Sequence, residues 1–203
     1  KGVEYKREDG KIEYKGKFYP EGSNVFPWEI DANQAIDNKF LRDFDYSEFK
    51  SMRPPSNNSF NTMLEVKELN KIPIDKAFVK MHDDIPGAFK DLAKRKGIRD
   101  YDEDIANDLI AESEPIIMDL KNHFDRPRPK VVAEKSSISM QDIEMDSMKT
   151  PSYPSGHSAQ GFLIGLSLGD KYPRYRSEFK KLAKKISYSR NVARAHYKSD
   201  SKF

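Results

Sequence analysis

The stretch DEDIANDLIAESEPIIMDLKNHF, residues 102–124, constrains the fold most. It opens on acidic residues, which suit the positive end of a helix dipole. Helical spacing then sets Ile105, Leu109, Ile116 and Leu120 inward. Pro115 is expected to kink this helix. Neighbouring segments keep the same period. NSFNTMLEVKELNKI puts Phe60, Met63, Leu64 and Ile72 on one helical face. DKAFVKMHDDI and AFKDLAKRKG read as short helices, the second closed by Gly97. Two more helices, residues 158–171 and 174–196, follow a long polar segment without period from Lys130 to Tyr153. There is no internal repeat. The expected fold is all-α, with residues 56–203 forming a helical domain.

Residues 1–55 read as an arm. Val3 and Tyr5, then Ile12 and Tyr14, alternate around Asp9-Gly10, which predicts a β-hairpin. Residues 21–58 mix aromatics, prolines and asparagines with little period, and MRPPSNN marks a linker. A lone hairpin buries too little to fold by itself. The arm is therefore expected to dock on a partner, a second copy or a larger assembly.

Composition narrows the function classes. The chain has 203 residues, enough for one domain and an arm. The balance of 36 basic to 33 acidic residues, a net of +3, is too even to argue for nucleic acid. The absence of cysteine excludes disulfides, thiol catalysis and thiolate-held metals, and leaves the compartment open. The chain begins at Lys1 without a visible signal peptide, which fits a processed N-terminus. The longest apolar run, around Phe162 to Leu168, falls far short of a membrane span, so a soluble protein is expected.

Three clusters carry chemistry. On the last helix the apolar face Phe179, Leu182, Ile186 continues into Arg190, Ala193, His196 and Asp200. A buried guanidinium needs an anion. If the helix persists, His196 and Asp200 are an i,i+4 pair, and a carboxylate beside an imidazole fixes its tautomer. A structural Arg–Asp bridge with a capping histidine explains the same residues. In TPSYPSGHSAQG, Ser155 suits a helix N-cap, Gly156 lets the backbone approach a ligand, and the free amides of the helix start suit an anion. His157 stands beside that position, placed to donate a proton; an ordinary capped helix with a surface histidine is the plain alternative. In KNHFDRPRP, Lys121 offers a point charge and Arg128 a planar fork. For this segment alone, a basic helix end running into a proline-rich turn is the plainer reading. Taken together, three cations, one helix-start anion site and two histidines suit a phosphoryl group.

These segments, KNHFDRPRP, SYPSGHS and SRNVARAHYKSD, in this order and spacing, resemble the type 2 phosphatidic acid phosphatase superfamily. Within it the chain is similar to the soluble class A bacterial non-specific acid phosphatases, over roughly residues 54–200. The resemblance implies a helical bundle of the acid phosphatase and vanadium haloperoxidase type, and a metal-independent phosphomonoesterase without cofactor. It implies that Lys121, Arg128 and Arg190 bind phosphate oxygens, with Ser155 and Gly156 adding hydrogen bonds at the helix start. His196 would be the nucleophile that becomes phosphohistidine, Asp200 its support, and His157 the acid for the leaving alkoxide. One imidazole must be neutral while the other is protonated, so an acidic to near-neutral optimum is expected. Export to the periplasm fits the resemblance; membership of a larger assembly fits the arm. Relatives continue into a further helix, so the domain is expected to be truncated at its C-terminus. Rival readings are a vanadate-dependent haloperoxidase and an assembly protein with an idle phosphatase domain.

Other candidates carry less. His82 with Asp83 and Asp84 reads as a solvated helix end rather than a metal site, because adjacent side chains rarely converge on one ion. His123 reads as surface or supporting. Ser155 is not a hydrolase nucleophile, since its loop is not Gly-x-Ser-x-Gly. Met140, Met145 and Met148 are expected to give the long loop apolar contacts, with a substrate lid as the alternative.

Overall fold

The computed structural model describes residues 39–202, with the backbone of three short strands before them. The strands β1 (Lys6–Glu8), β2 (Lys11–Tyr14) and β3 (Lys17–Pro20) form an antiparallel sheet in the order β1-β2-β3. Glu8 pairs with Lys11 and Tyr14 with Lys17. Val3, Tyr5 and the Asp9-Gly10 turn lie outside the described residues.

Among the described residues seven α-helices follow: α1 (Phe60–Lys71), α2 (Lys76–Met81), α3 (Ile85–Lys96), α4 (Glu103–Phe124), α5 (Pro129–Lys135), α6 (Gly156–Lys171) and α7 (Arg176–Val192). Polar residues set their starts. Ser59, Asp75, Asp84, Asp102 and Ser155 each accept an amide of the first turn, at 3.2, 2.9, 3.1, 3.1 and 3.4 Å. Gly97 closes α3 with φ +71°, a conformation glycine adopts without steric cost. Pro115 lies inside α4.

Two expected faces shift. On α1 the buried residues are Thr62, Val66 and Leu69, while Phe60 is 79% exposed and Leu64 is exposed. Met63 and Ile72 are partly buried against the cluster that holds Val66 and Leu69, as expected, but Thr62 is buried too, its hydroxyl donating to the Ser56 carbonyl at 2.8 Å. On α4, Ile117 rather than Ile116 is buried beside Ile105, Leu109 and Leu120. The Lys130–Tyr153 segment is also more ordered than its sequence suggests. It holds most of α5 and a 3₁₀ turn at Asp146–Lys149.

The main core lies where α4, α6, α7 and α3 meet. Ile85, Phe89, Leu109, Ile164, Phe179 and Ile186 belong to it. Gly161, Gly165 and Gly169 face α7 so closely that a Cβ on Gly165 would stand 3.1 Å from the Phe179 carbonyl. Two smaller clusters brace the chain's end. Val66, Leu69, Met140 and Tyr197 form one, and Val79, Val192, Ala193 and Ala195 the other, with Met145 and Met148 against it. His196 stands between Ala195 and Tyr197, so both its backbone neighbours are anchored in packed apolar surface. The three methionines make the apolar contacts expected of them.

The described part of the 1–55 arm is tied to α4. Buried Glu112 accepts the amides of Lys39, Phe40 and Leu41 at 2.8, 2.9 and 2.8 Å. Tyr153 donates its hydroxyl to the Met52 carbonyl at 2.6 Å. None of the described helices is long and apolar enough to cross a membrane.

Candidate active site

α7 stops at Val192, earlier than its apolar period suggests. Arg194 takes φ +56°, and the chain turns into a 3₁₀ segment at Lys198–Ser201. The Arg194 guanidinium holds that turn by donating to the Asn70 and Ile72 carbonyls, both at 3.0 Å, at the end of α1. The expected His196–Asp200 contact therefore forms through a turn, not through a continued helix. His196 Nδ1 lies 3.2 Å from Asp200 Oδ2.

The other ring nitrogen, Nε2, lies 2.9 Å from Arg128 Nη1. A guanidinium can only donate, so Nε2 accepts and the ring proton sits on Nδ1, facing Asp200. Burial, then the Arg128 and Lys121 charges, push the His196 imidazolium well below its usual range. The ring is thus a neutral imidazole with its Nε2 lone pair held by Arg128.

Asp200 is fully buried and saturated. Oδ2 accepts Ser152 Oγ at 2.5 Å and the Tyr197 amide at 3.1 Å; Oδ1 accepts Arg126 Nη1 at 2.6 Å. Burial raises its carboxyl, and Arg126 opposes that. The Arg126 guanidinium also stacks 3.8 Å from the Tyr197 ring centroid. Sequence reasoning passed over Arg126. It sits in the same DRPRP run as Arg128, and only the position of Asp200, far along the chain, tells the two apart.

Arg128 is buried at the start of α5. Nε donates to the Thr150 carbonyl at 2.8 Å, Nη2 to the Ser147 carbonyl at 2.8 Å and Nη1 to the Ala195 carbonyl at 2.9 Å. Burial lowers its pKa to about 10. Lys121 is buried on α4 and donates to the Pro151 carbonyl at 2.5 Å. Burial and the neighbouring Arg128 charge push its ammonium well below the usual lysine range. Two cations are thus held close together on carbonyl oxygens, and an arriving anion would favour their charged forms.

Ser155 caps α6, and its own amide donates to the Asp200 carbonyl at 3.0 Å. Gly156 and His157 follow in the first turn, whose amides have no intrahelical acceptor. Both line a cavity of about 100 Å³ with Lys121, His196, Glu114 and Gln160. Glu114 accepts Gln160 Nε2 at 3.0 Å, and burial raises its carboxyl. The structure therefore gathers Lys121, Gly156, His157 and His196 around one space, with Arg128, Ser155 and Asp200 directly behind it.

Arg190 reaches this site differently from the simple bridge its motif allows. Its anion is not Asp200 but Asp83, whose Oδ1 accepts Nη1 at 2.8 Å. The same carboxylate lies 3.3 Å from His157 Nε2. Arg190 is fully buried, Nε donates to Ser189 Oγ at 3.0 Å, and Nη2 has no hydrogen-bond partner. His82, beside Asp83, is buried rather than solvated. Its Nδ1 lies 2.7 Å from the Phe78 carbonyl, capping α2. His123 stays at the surface, 3.2 Å from the Lys50 carbonyl. Among the described residues no group of His, Asp and Glu is arranged to hold a metal ion.

Residues 109–202 match the sequence profile of the PAP2 superfamily. Over 80 residues the chain is 35% identical to the non-specific acid phosphatase of Salmonella typhimurium strain LT2, and 34% identical to that of Salmonella typhi. Each match covers 39% of this chain and 32% of the relative, so it spans about a third of those proteins. Over residues 109–202 the chain is thus similar to the PAP2 superfamily, and over part of its length to non-specific acid phosphatases.

Proposed function

We propose that the chain is a metal-independent phosphomonoesterase working through a phosphohistidine on His196. The observation that carries this is the state of His196: a neutral ring, Nδ1–H on Asp200 and its Nε2 lone pair beside Arg128. A phosphoryl group would enter the adjoining cavity. Lys121, Arg128 and Arg190 would neutralise its oxygens, and the amides at the start of α6 would bind a further oxygen. Three crowded, desolvated cations supply the charge that a metal supplies elsewhere. Each has its pKa lowered chiefly by burial, so each gains from a bound dianion.

The phosphate oxygens draw the Arg128 guanidinium off Nε2, whose freed lone pair then attacks phosphorus in line with the leaving oxygen. The N–P bond forms, the P–O ester bond breaks, and His157 gives its proton to the departing alkoxide. Asp200 accepts the hydrogen bond of the increasingly positive ring. In the second half His157 takes a proton from water, whose oxygen attacks phosphorus, releasing phosphate and free His196.

The test is p-nitrophenyl phosphate turnover in excess EDTA, for the wild type and His196→Ala. Turnover should survive EDTA and fall on the order of 10³-fold or more in the variant. Undiminished turnover by His196→Ala, or loss of wild-type turnover in EDTA, rejects the mechanism.

A further inference from the structure

Asp83 lies in the short connector between α2 and α3, outside all three motifs that build the site. Its Oδ1 accepts Arg190 Nη1 at 2.8 Å and lies 3.3 Å from His157 Nε2. Its backbone carbonyl lies 3.1 Å from the same nitrogen. The Arg190 side chain is 0% exposed, whereas that of Asp83 is 48% exposed. A solvent-facing carboxylate is thus bound by two groups that a phosphate ester would need. We propose that Asp83 is an internal competitor for the anion pocket, holding Arg190 and His157 until a phosphoryl group displaces it. Asp83 thereby sets the affinity for phosphate monoesters and for inorganic phosphate. The inference rests on the phosphatase reading of the site.

The chemistry of each partner supports competition. The other contacts of Arg190, to Ser189 Oγ and Met145 Sδ, leave its charge uncompensated, and Nη2 is buried without a partner. The Asp83 carboxylate is the anion that this cation holds. His157 Nε2 carries at most one hydrogen, and Asp83 Oδ1 and the Asp83 backbone carbonyl, 3.3 and 3.1 Å away, compete for it. The His157 and Arg190 contacts hold the Asp83 carboxyl down at about 2, so it is an anion wherever the enzyme would work. A phosphate dianion beside it would bring like charges together in a partly desolvated site, which is unfavourable. Asp83 also has somewhere to go. It borders an open cavity of about 600 Å³, with His157, Glu144, Met145 and Ser147, so it can turn toward water without disturbing the core.

Calorimetric titration of the full chain with inorganic phosphate tests this, using the wild type, Asp83→Asn and Arg128→Ala. Asparagine keeps the size and removes the charge. Asp83→Asn should bind phosphate up to about tenfold more tightly and show a matching fall in KM for p-nitrophenyl phosphate. Arg128→Ala should lose binding. Equal or weaker binding by Asp83→Asn, with the wild type binding normally, overturns competition while leaving the phosphatase reading intact. Binding to neither protein overturns both.

Discussion

His196 gets its chemistry from what each ring nitrogen faces. An arginine on Nε2 and a carboxylate on Nδ1 leave one tautomer, and burial keeps it uncharged. Asp200 can serve as that carboxylate only because Arg126 compensates it. Both are almost wholly buried, and a buried charge without its partner is strongly destabilising. Arg126→Met should therefore cost about 3–5 kcal/mol of folding stability by urea denaturation. A loss below about 1 kcal/mol, typical of an exposed pair, would show that Arg126 does not carry Asp200. At this scale the sequence marked His196, Asp200, Lys121 and Arg128 as candidates, because their residue types and spacings suit one chemistry, and the structure brings them together. Arg126 and Asp83 were not legible. Each is an ordinary charged residue whose partner lies far away in the chain, at Asp200 and Arg190.

Elements place those residues with little tolerance. α6 begins at the cavity and runs along α7, and the glycines 161, 165 and 169 let the two helices approach closely. A Cβ at Gly165 would meet the Phe179 carbonyl and the Ala183 Cβ, each at 3.1 Å, and the first is backbone that cannot step aside. Gly165→Leu should destabilise the fold by about 1–3 kcal/mol through overpacking, despite leucine's better helix propensity. Thermal denaturation checks it; an unchanged or raised Tm contradicts close α6–α7 packing as the reason for glycine there. The starts of α4 and α6 were readable because Asp102 and Ser155 satisfy first-turn amides locally, whereas α3 begins at Ile85, ahead of the AFKDLAKRKG stretch, and α5 carried no such signal. The full buried face of α1 was not readable, because Thr62 is buried by a hydrogen bond to Ser56 that hydrophobic spacing does not register. Nor was the end of α7, which Arg194 fixes from across the domain.

Across the whole molecule, the site is a concentration of buried titratable groups, and folding stability should report it. Burial holds the folded His196 imidazolium well below the ordinary histidine value of about 6.5. As pH falls through 6.5 the unfolded chain takes up a proton that the folded chain refuses, so stability declines toward acid. Burial raises Glu114 and Asp200, which acts in the opposite direction at lower pH. Comparison with His196→Asn isolates the histidine. Between pH 6.5 and about 5 the variant should lose stability less steeply than wild type, by up to about 1.4 kcal/mol per pH unit, the limit for one proton. Parallel slopes in urea denaturation would show that His196 is not held neutral by the fold. The sequence by itself determined the helical class, some of the helix starts and the set of cations and histidines that suit a phosphoryl group. Those depend on local hydrogen bonding, periodicity and residue chemistry. Only the tertiary structure decided which anion answers which cation: Asp200 goes to Arg126, and Asp83 to Arg190. A buried charge takes the counter-charge that packing brings within reach, and sequence distance does not measure that reach.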